Sequence, residues 1–172
     1  DNDATPTLTV GNDSVSEGDQ LRFPVSLSGL SENTVLVNFR TQHVSTEGSD
    51  YSGRNTTLTL SPGQTSGTIA VNTSEDGVYE GNETLRLDLS GVQNASLGRS
   101  NATGTIVEDD PKPSFRVENA PNRYENQGAA YFPVTLNRTA EANVCARLYT
   151  SNGNAANGSD YTGRDTTLCF SP

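Results

Sequence analysis

One fifteen-residue string occurs twice. GSDYSGRNTTLTLSP fills 48–62 and GSDYTGRDTTLCFSP fills 158–172, with eleven positions identical. Repetition constrains a fold strongly, because each copy must form one structural unit with the same elements in the same order. The match continues upstream. LRFPVSLS (Leu21 to Ser28) returns as AYFPVTLN (Ala130 to Asn137), and VLVNFRT (Val35 to Thr41) returns as VCARLYT (Val144 to Thr150). VSEGD (Val15 to Asp19) returns more weakly as RYENQ (Arg123 to Gln127). The LRFPVSLS and VLVNFRT blocks shift by 109 residues, the weaker VSEGD match by 108 and the string by 110, so one residue is inserted before the second GSDY. The organisation read from this is a first repeat over 4–110 and a partial second repeat over 111–172. Residues 1–3 (DND) precede TPTLTV much as EDD (Glu108 to Asp110) precedes PKPSFRV, and read as the tail of a preceding repeat or a linker.

Within the first repeat the apolar residues alternate with period two. Leu21, Phe23, Val25 and Leu27 share one face. Val35, Val37 and Phe39 do the same, as do Leu58 with Leu60, Ile69 with Val71, and Leu85, Leu87 and Leu89. A last strand is expected near Ala102 to Val107, and a short first one at Thr7 to Val10. No stretch has a helical period. Seven short alternating strands predict an all-β fold, a seven-stranded antiparallel immunoglobulin-like β-sandwich. The low hydrophobic share, 31%, suits thin strands and many turns. Pro24 and its counterpart Pro133 lack the N–H a ladder needs, which predicts edge strands or bulges there. The second repeat holds counterparts of the first four strands. Half a sandwich exposes an apolar face, and three expectations stand for it: the sequence is cut from a longer array, the remaining strands are disordered, or another chain donates them to build a filament.

A net charge of −10, with Lys112 the single lysine, argues against nucleic acid and anionic membrane as partners. No apolar run is long enough to predict a helical membrane span. The acids gather at turns. Glu17 lies in SEGD, Asp50 in GSDY, Glu75, Asp76, Glu80 and Glu83 in SEDGVYEGNE, and Glu108, Asp109 and Asp110 close the repeat. Counting strands places these turns at one end of the sandwich. Any one of these acids alone reads as a solvated turn residue. Together, two carboxylates about 5 Å apart repel by roughly 3 kcal/mol at an effective dielectric near 20. Such a cluster must protonate, splay or bind a cation. Oxygen donors without His or Cys select a hard cation, and flexible loops suit calcium better than magnesium.

EGD, GSDY, TLTLSPG, the D-x-V-x-E-x-x-E within EDGVYEGNETLRLDLS, and EDD, in that order, resemble the Calx-β repeat family. The resemblance covers the first repeat and the partial second one. It implies a seven-stranded sandwich with calcium at the loops of one end. Its implied ligands are Glu17, Asp50, Asp76, the Val78 carbonyl, Glu80, Glu83, Asp109 and Asp110. Glu75 and Glu108 stand where calcium-loaded members often carry Asp, which leaves the number of ions open. The second repeat keeps Glu125 and Asp160 but none of the later ligands.

Cys145 and Cys169 fall at outward positions of neighbouring predicted strands; a cross-strand disulfide and two free thiols are the alternatives, the disulfide fitting an extracellular protein. N-x-S/T sequons occur at Asn12, Asn55, Asn72, Asn82, Asn94, Asn101, Asn137 and Asn157 as possible glycosylation sites. His43, the only histidine, reads as a solvated loop residue. No catalytic constellation is evident, so no enzyme is expected. The leading expectation is a calcium-stiffened structural module of an extracellular surface, adhesin or fibre protein. Its partners would be neighbouring repeats and possible homopolymeric fibre contacts. A calcium sensor and a carbohydrate-binding module are the alternatives.

Overall fold

A computed structural model describes residues 4–124 and 127–172. The expectation for DND (residues 1–3) lies outside them. The chain forms two units, Asp1–Gly77 with Gly81–Asp109, and Val78–Glu80 with Asp110–Pro172.

The first unit is all β. Its described residues form β1 (Thr7–Val10), β2 (Asp13–Ser16), β3 (Gln20–Leu27), β4 (Val35–His43), β5 (Asn55–Leu60), β6 (Ser66–Asn72), β7 (Glu83–Gln93), β8 (Ser96–Leu97) and β9 (Asn101–Val107). One sheet has the order β6-β3-β1-β8 and the other β2-β9-β7-β4-β5. The alternation explains the layering. In β3, Leu21, Phe23, Val25 and Leu27 are buried while Arg22, Pro24 and Ser26 are exposed. Val35, Val37, Phe39, Leu85, Leu87 and Leu89 of the second sheet turn into the same core. Burying each such side chain contributes roughly 1.5–3 kcal/mol.

The seven expected strands are present; β2 and β8 are additional. They correct the fully antiparallel expectation, since β1 pairs with β8 and β2 with β9 in parallel. The cause lies at Gly11. The first strand breaks there, and its second half crosses to pair with β9 in the other sheet. The Gly11 N–H donates to the Pro24 carbonyl at 2.8 Å, and a Cβ on Gly11 would stand 2.8 Å from Pro24 Cγ. Only glycine allows that approach.

The same crossing overturns the edge-or-bulge expectation for Pro24. β3 is an interior strand, and Pro24 stays in register with Thr68 of β6. Its missing N–H faces the β1 side, on which its carbonyl meets Gly11. The ladder to β1 has its last paired residues at Val10 and Val25. Proline therefore removes one bond at a place where the neighbouring strand is already leaving.

In the second unit β10 (Phe115–Val117) pairs with β11 (Val134–Leu136), and β12 (Val144–Tyr149) with β13 (Asp165–Phe170). Pro133 immediately precedes β11, and the strand expected over 130–137 is shortened to that core. Cys145 lies directly opposite Cys169 and forms the disulfide. Among the described residues of this unit the strands' apolar side chains are at most half-buried. Phe132, the repeat counterpart of the fully buried Phe23, is 55% exposed.

Candidate metal centre

The acidic end of the first unit is built from the backbone upward. The Gly18 N–H donates to the Ser74 carbonyl at 2.9 Å, the Thr73 N–H to the Asp19 carbonyl at 3.0 Å, and the Ser74 N–H to the Asp50 carbonyl at 2.7 Å. The Thr73 hydroxyl also donates to Asp19, at 2.6 Å. Three turns distant in sequence are thereby sewn together. Gly18 has φ 74°, and a Cβ there would lie 3.0 Å from both Cβ and Oε2 of Glu75. The glycine of SEGD is thus what lets Glu75 approach the Glu17 turn.

β2 and β9 bring in the remaining acids. Ser16 pairs with Val107 in the parallel ladder, so Glu17 and Glu108 leave their strands side by side. Carboxylate oxygens of Glu17, Glu75 and Asp109 lie within 4.8 Å of one another, and Glu17 and Glu108 also come within that limit. The Glu108 carboxylate accepts from the Gly81 N–H at 2.6 Å, and its own N–H donates to Asn82 Oδ1 at 3.1 Å. Both bonds fix the end of β9 against the turn that opens β7.

Asp50 and Glu83 form a second pair of carboxylates within 4.8 Å. Both are buried, as is Glu17. Burial opposes ionisation of Asp50. The Glu47 N–H, the Glu83 carboxyl, the Ser49 hydroxyl and the His43 charge outweigh it and hold the carboxyl below its ordinary value of 3.8. A divalent cation between Asp50 and Glu83 would offset the mutual repulsion of their carboxylates.

The predicted residues divide as follows. Glu17 and Asp109 come together, as do Asp50 and Glu83. Asp76 joins no group of three acids among the described residues; its neighbour Glu75 takes the position beside Glu17. Val78, Glu80 and Asp110 fall within the second unit, next in the chain to the turn before Glu83 and to Asp109. Glu125 lies outside the described residues. Asp160 caps the Ala156 N–H at 2.8 Å, as Asp50 caps that of Glu47; the inserted residue is absorbed in this turn. Sequence reasoning left Glu75 and Glu108 out of the ligand set. The missed signal was the parallel β2–β9 pairing, which puts residues 17 and 108 side by side. All eight sequon asparagines are exposed, as a glycan requires. His43 is exposed but closes β4 rather than lying in a loop, and its ring is tilted at 44° to that of Tyr51 with centroids 4.6 Å apart.

The donor set fits a hard cation. Glu17, Glu75, Glu108 and Asp109 offer only oxygen, with no His or Cys among the grouped residues.

The sequence model of the Calx-beta domain matches residues 1–111 and 108–172. The chain is 31% identical over 150 residues to sodium/calcium exchanger 1 of Canis lupus familiaris, and equally so to that of Rattus norvegicus. These matches cover 74% of this chain and 15% of each exchanger. The fold is similar to the apo form of the Calx CBD1 domain, with TM-score 0.57 and 20% identity over 62% of this chain and all of that one. It is also similar to the calcium binding domain CBD12 of CALX1.1, with TM-score 0.57 and 22% identity over 95% of this chain and 70% of that one.

Proposed function

The chain belongs to the Calx-beta domain family, and from that premise we propose that it is a non-enzymatic calcium-binding module whose ion stiffens one end of the first unit. The observation that carries this is the convergence of Glu17, Glu75 and Asp109 from three separate turns within 4.8 Å. Glu108, and Asp50 with Glu83, are the further donors in the first unit. The cation would supply the neutralising charge that the repelling carboxylates lack. The chain leaves this end through Asp109, Asp110 and Pro111, so the exit toward the next repeat would stiffen with it. The two-segment family match and the likeness to tandem domains support neighbouring repeats as the partners.

The disulfide supports an oxidising, extracellular setting, and with it a surface, adhesin or fibre role. The likeness to exchangers favours a second reading, a calcium sensor acting on a partner domain. Affinity separates the two. A sensor binds near 10⁻⁷–10⁻⁵ M and an extracellular module near 10⁻⁴–10⁻³ M. Calorimetric titration with calcium tests both. We expect saturable binding that weakens by an order of magnitude or more in Glu17→Gln and Asp109→Asn and is unchanged in Asp165→Asn. Binding indifferent to the first two substitutions would refute the assignment.

A further inference from the structure

We propose that Asn152 is a site of spontaneous deamidation, and that the folded loop directs the reaction to Asn152 in preference to Asn157. Asn–Gly is the favourable dipeptide for this reaction, because glycine has no Cβ to obstruct closure of the ring. The chain contains two, Asn152–Gly153 and Asn157–Gly158, both exposed in the loop between β12 and β13.

Their surroundings differ. Asn152 Oδ1 accepts from the Asn157 N–H at 2.8 Å and from the Tyr161 hydroxyl at 2.8 Å. Two donors stabilise the negative charge that gathers on that oxygen when the amide carbon is attacked, as in an oxyanion hole. Asn157 Oδ1 accepts from the Gly163 N–H at 2.7 Å, a single donor among the described residues. The attacking nitrogens differ as well. The Gly158 N–H is held by the Tyr161 carbonyl at 2.8 Å, whereas among the described residues no acceptor takes the Gly153 N–H.

In the reaction the Gly153 nitrogen loses its proton to solvent base and bonds to the Asn152 amide carbon. The C–N bond of the side-chain amide breaks, and the nitrogen departs as ammonia. Water then opens the succinimide at either carbonyl, leaving aspartate or isoaspartate. Each product adds one negative charge to the loop that carries Asp160. The loop between β4 and β5 in the first repeat already holds such a second acid, Glu47 beside Asp50. Isoaspartate also inserts a methylene into the backbone and would break the Asn152 bonds to Asn157 and Tyr161.

The test is peptide mapping by mass spectrometry after incubating the full chain in ¹⁸O-water, in mildly alkaline buffer at physiological temperature. In the folded chain Asn152 should convert at least about fivefold faster than Asn157. In a urea-unfolded control the two rates should converge. Tyr161→Phe should slow Asn152 several-fold and leave Asn157 within about twofold of its former rate. If that variant fails to fold, the wild-type folded and unfolded ratios decide alone. Equal rates in the folded chain, a faster Asn157, or an Asn152 rate indifferent to Tyr161→Phe in a folded variant would overturn the proposal.

Discussion

Gly104 of β9 shows how closely the core of the first unit is packed. A Cβ at this position would stand 2.7 Å from Phe23 Cζ, 2.8 Å from Leu21 Cδ1 and 3.2 Å from Leu85 Cγ. All three neighbours are fully buried, so none can swing aside into solvent. Gly104→Ala is expected to cost about 1–3 kcal/mol in urea denaturation; an unchanged midpoint would show that the core has slack. Tyr51 gives a prediction in pH. Burial pushes its hydroxyl above the ordinary value of 10.0; a hydrogen bond with Thr41 works against this and the Asp50 charge adds to it. The folded chain therefore keeps a proton that the unfolded chain loses first. The stabilisation is complete below the ordinary tyrosine value and is lost as pH rises through the raised one. Denaturation midpoints measured up that range should fall, and Tyr51→Phe should remove that part of the slope.

At the scale of elements, the repeat made most strands legible, because alternation along β3, β4 and β7 reports burial directly. The alternating positions Leu21 to Leu27 all lie in the core. The split of the first strand was not legible. Gly11–Asn12 reads as an ordinary turn, and nothing in DSVS reveals that its partner is β9 in parallel. That pairing is what brings Glu108 beside Glu17, and the Gly18 turn is what brings Glu75 there. Glu17, Asp50, Glu83 and Asp109 came from the strand count and the resemblance, and the expected ligand set included neither Glu75 nor Glu108. The cystine was legible, because the repeat aligned Cys145 and Cys169 with the adjacent pair Leu36 and Thr59, which face each other across β4 and β5. It closes a loop with a sequence separation of 24. Reduction should destabilise the second unit by about 3 kcal/mol on the chain-entropy estimate. Hydrogen exchange of β12 and β13 with and without reductant checks this, and unchanged protection would contradict it.

For the whole molecule, the two units are unequal. The first closes a two-sheet core; the second carries four described strands whose inward apolar residues, such as Val134, Leu136, Val144 and Leu168, are only half-buried, and Phe132 just before β11 is exposed. Calcium should accordingly act on the first unit. With the ion at about one hundred times its dissociation constant, linkage raises stability by about 2.7 kcal/mol. Chelation should lower the melting temperature by several degrees, and Asp160→Asn should leave that shift intact. The most direct test of the account is a crystal structure grown in abundant calcium. We predict an ion within about 2.3–2.6 Å of oxygens from Glu17 and Asp109. The contrary result is a set of carboxylates turned away from one another, with water alone between Glu17, Glu75 and Asp109.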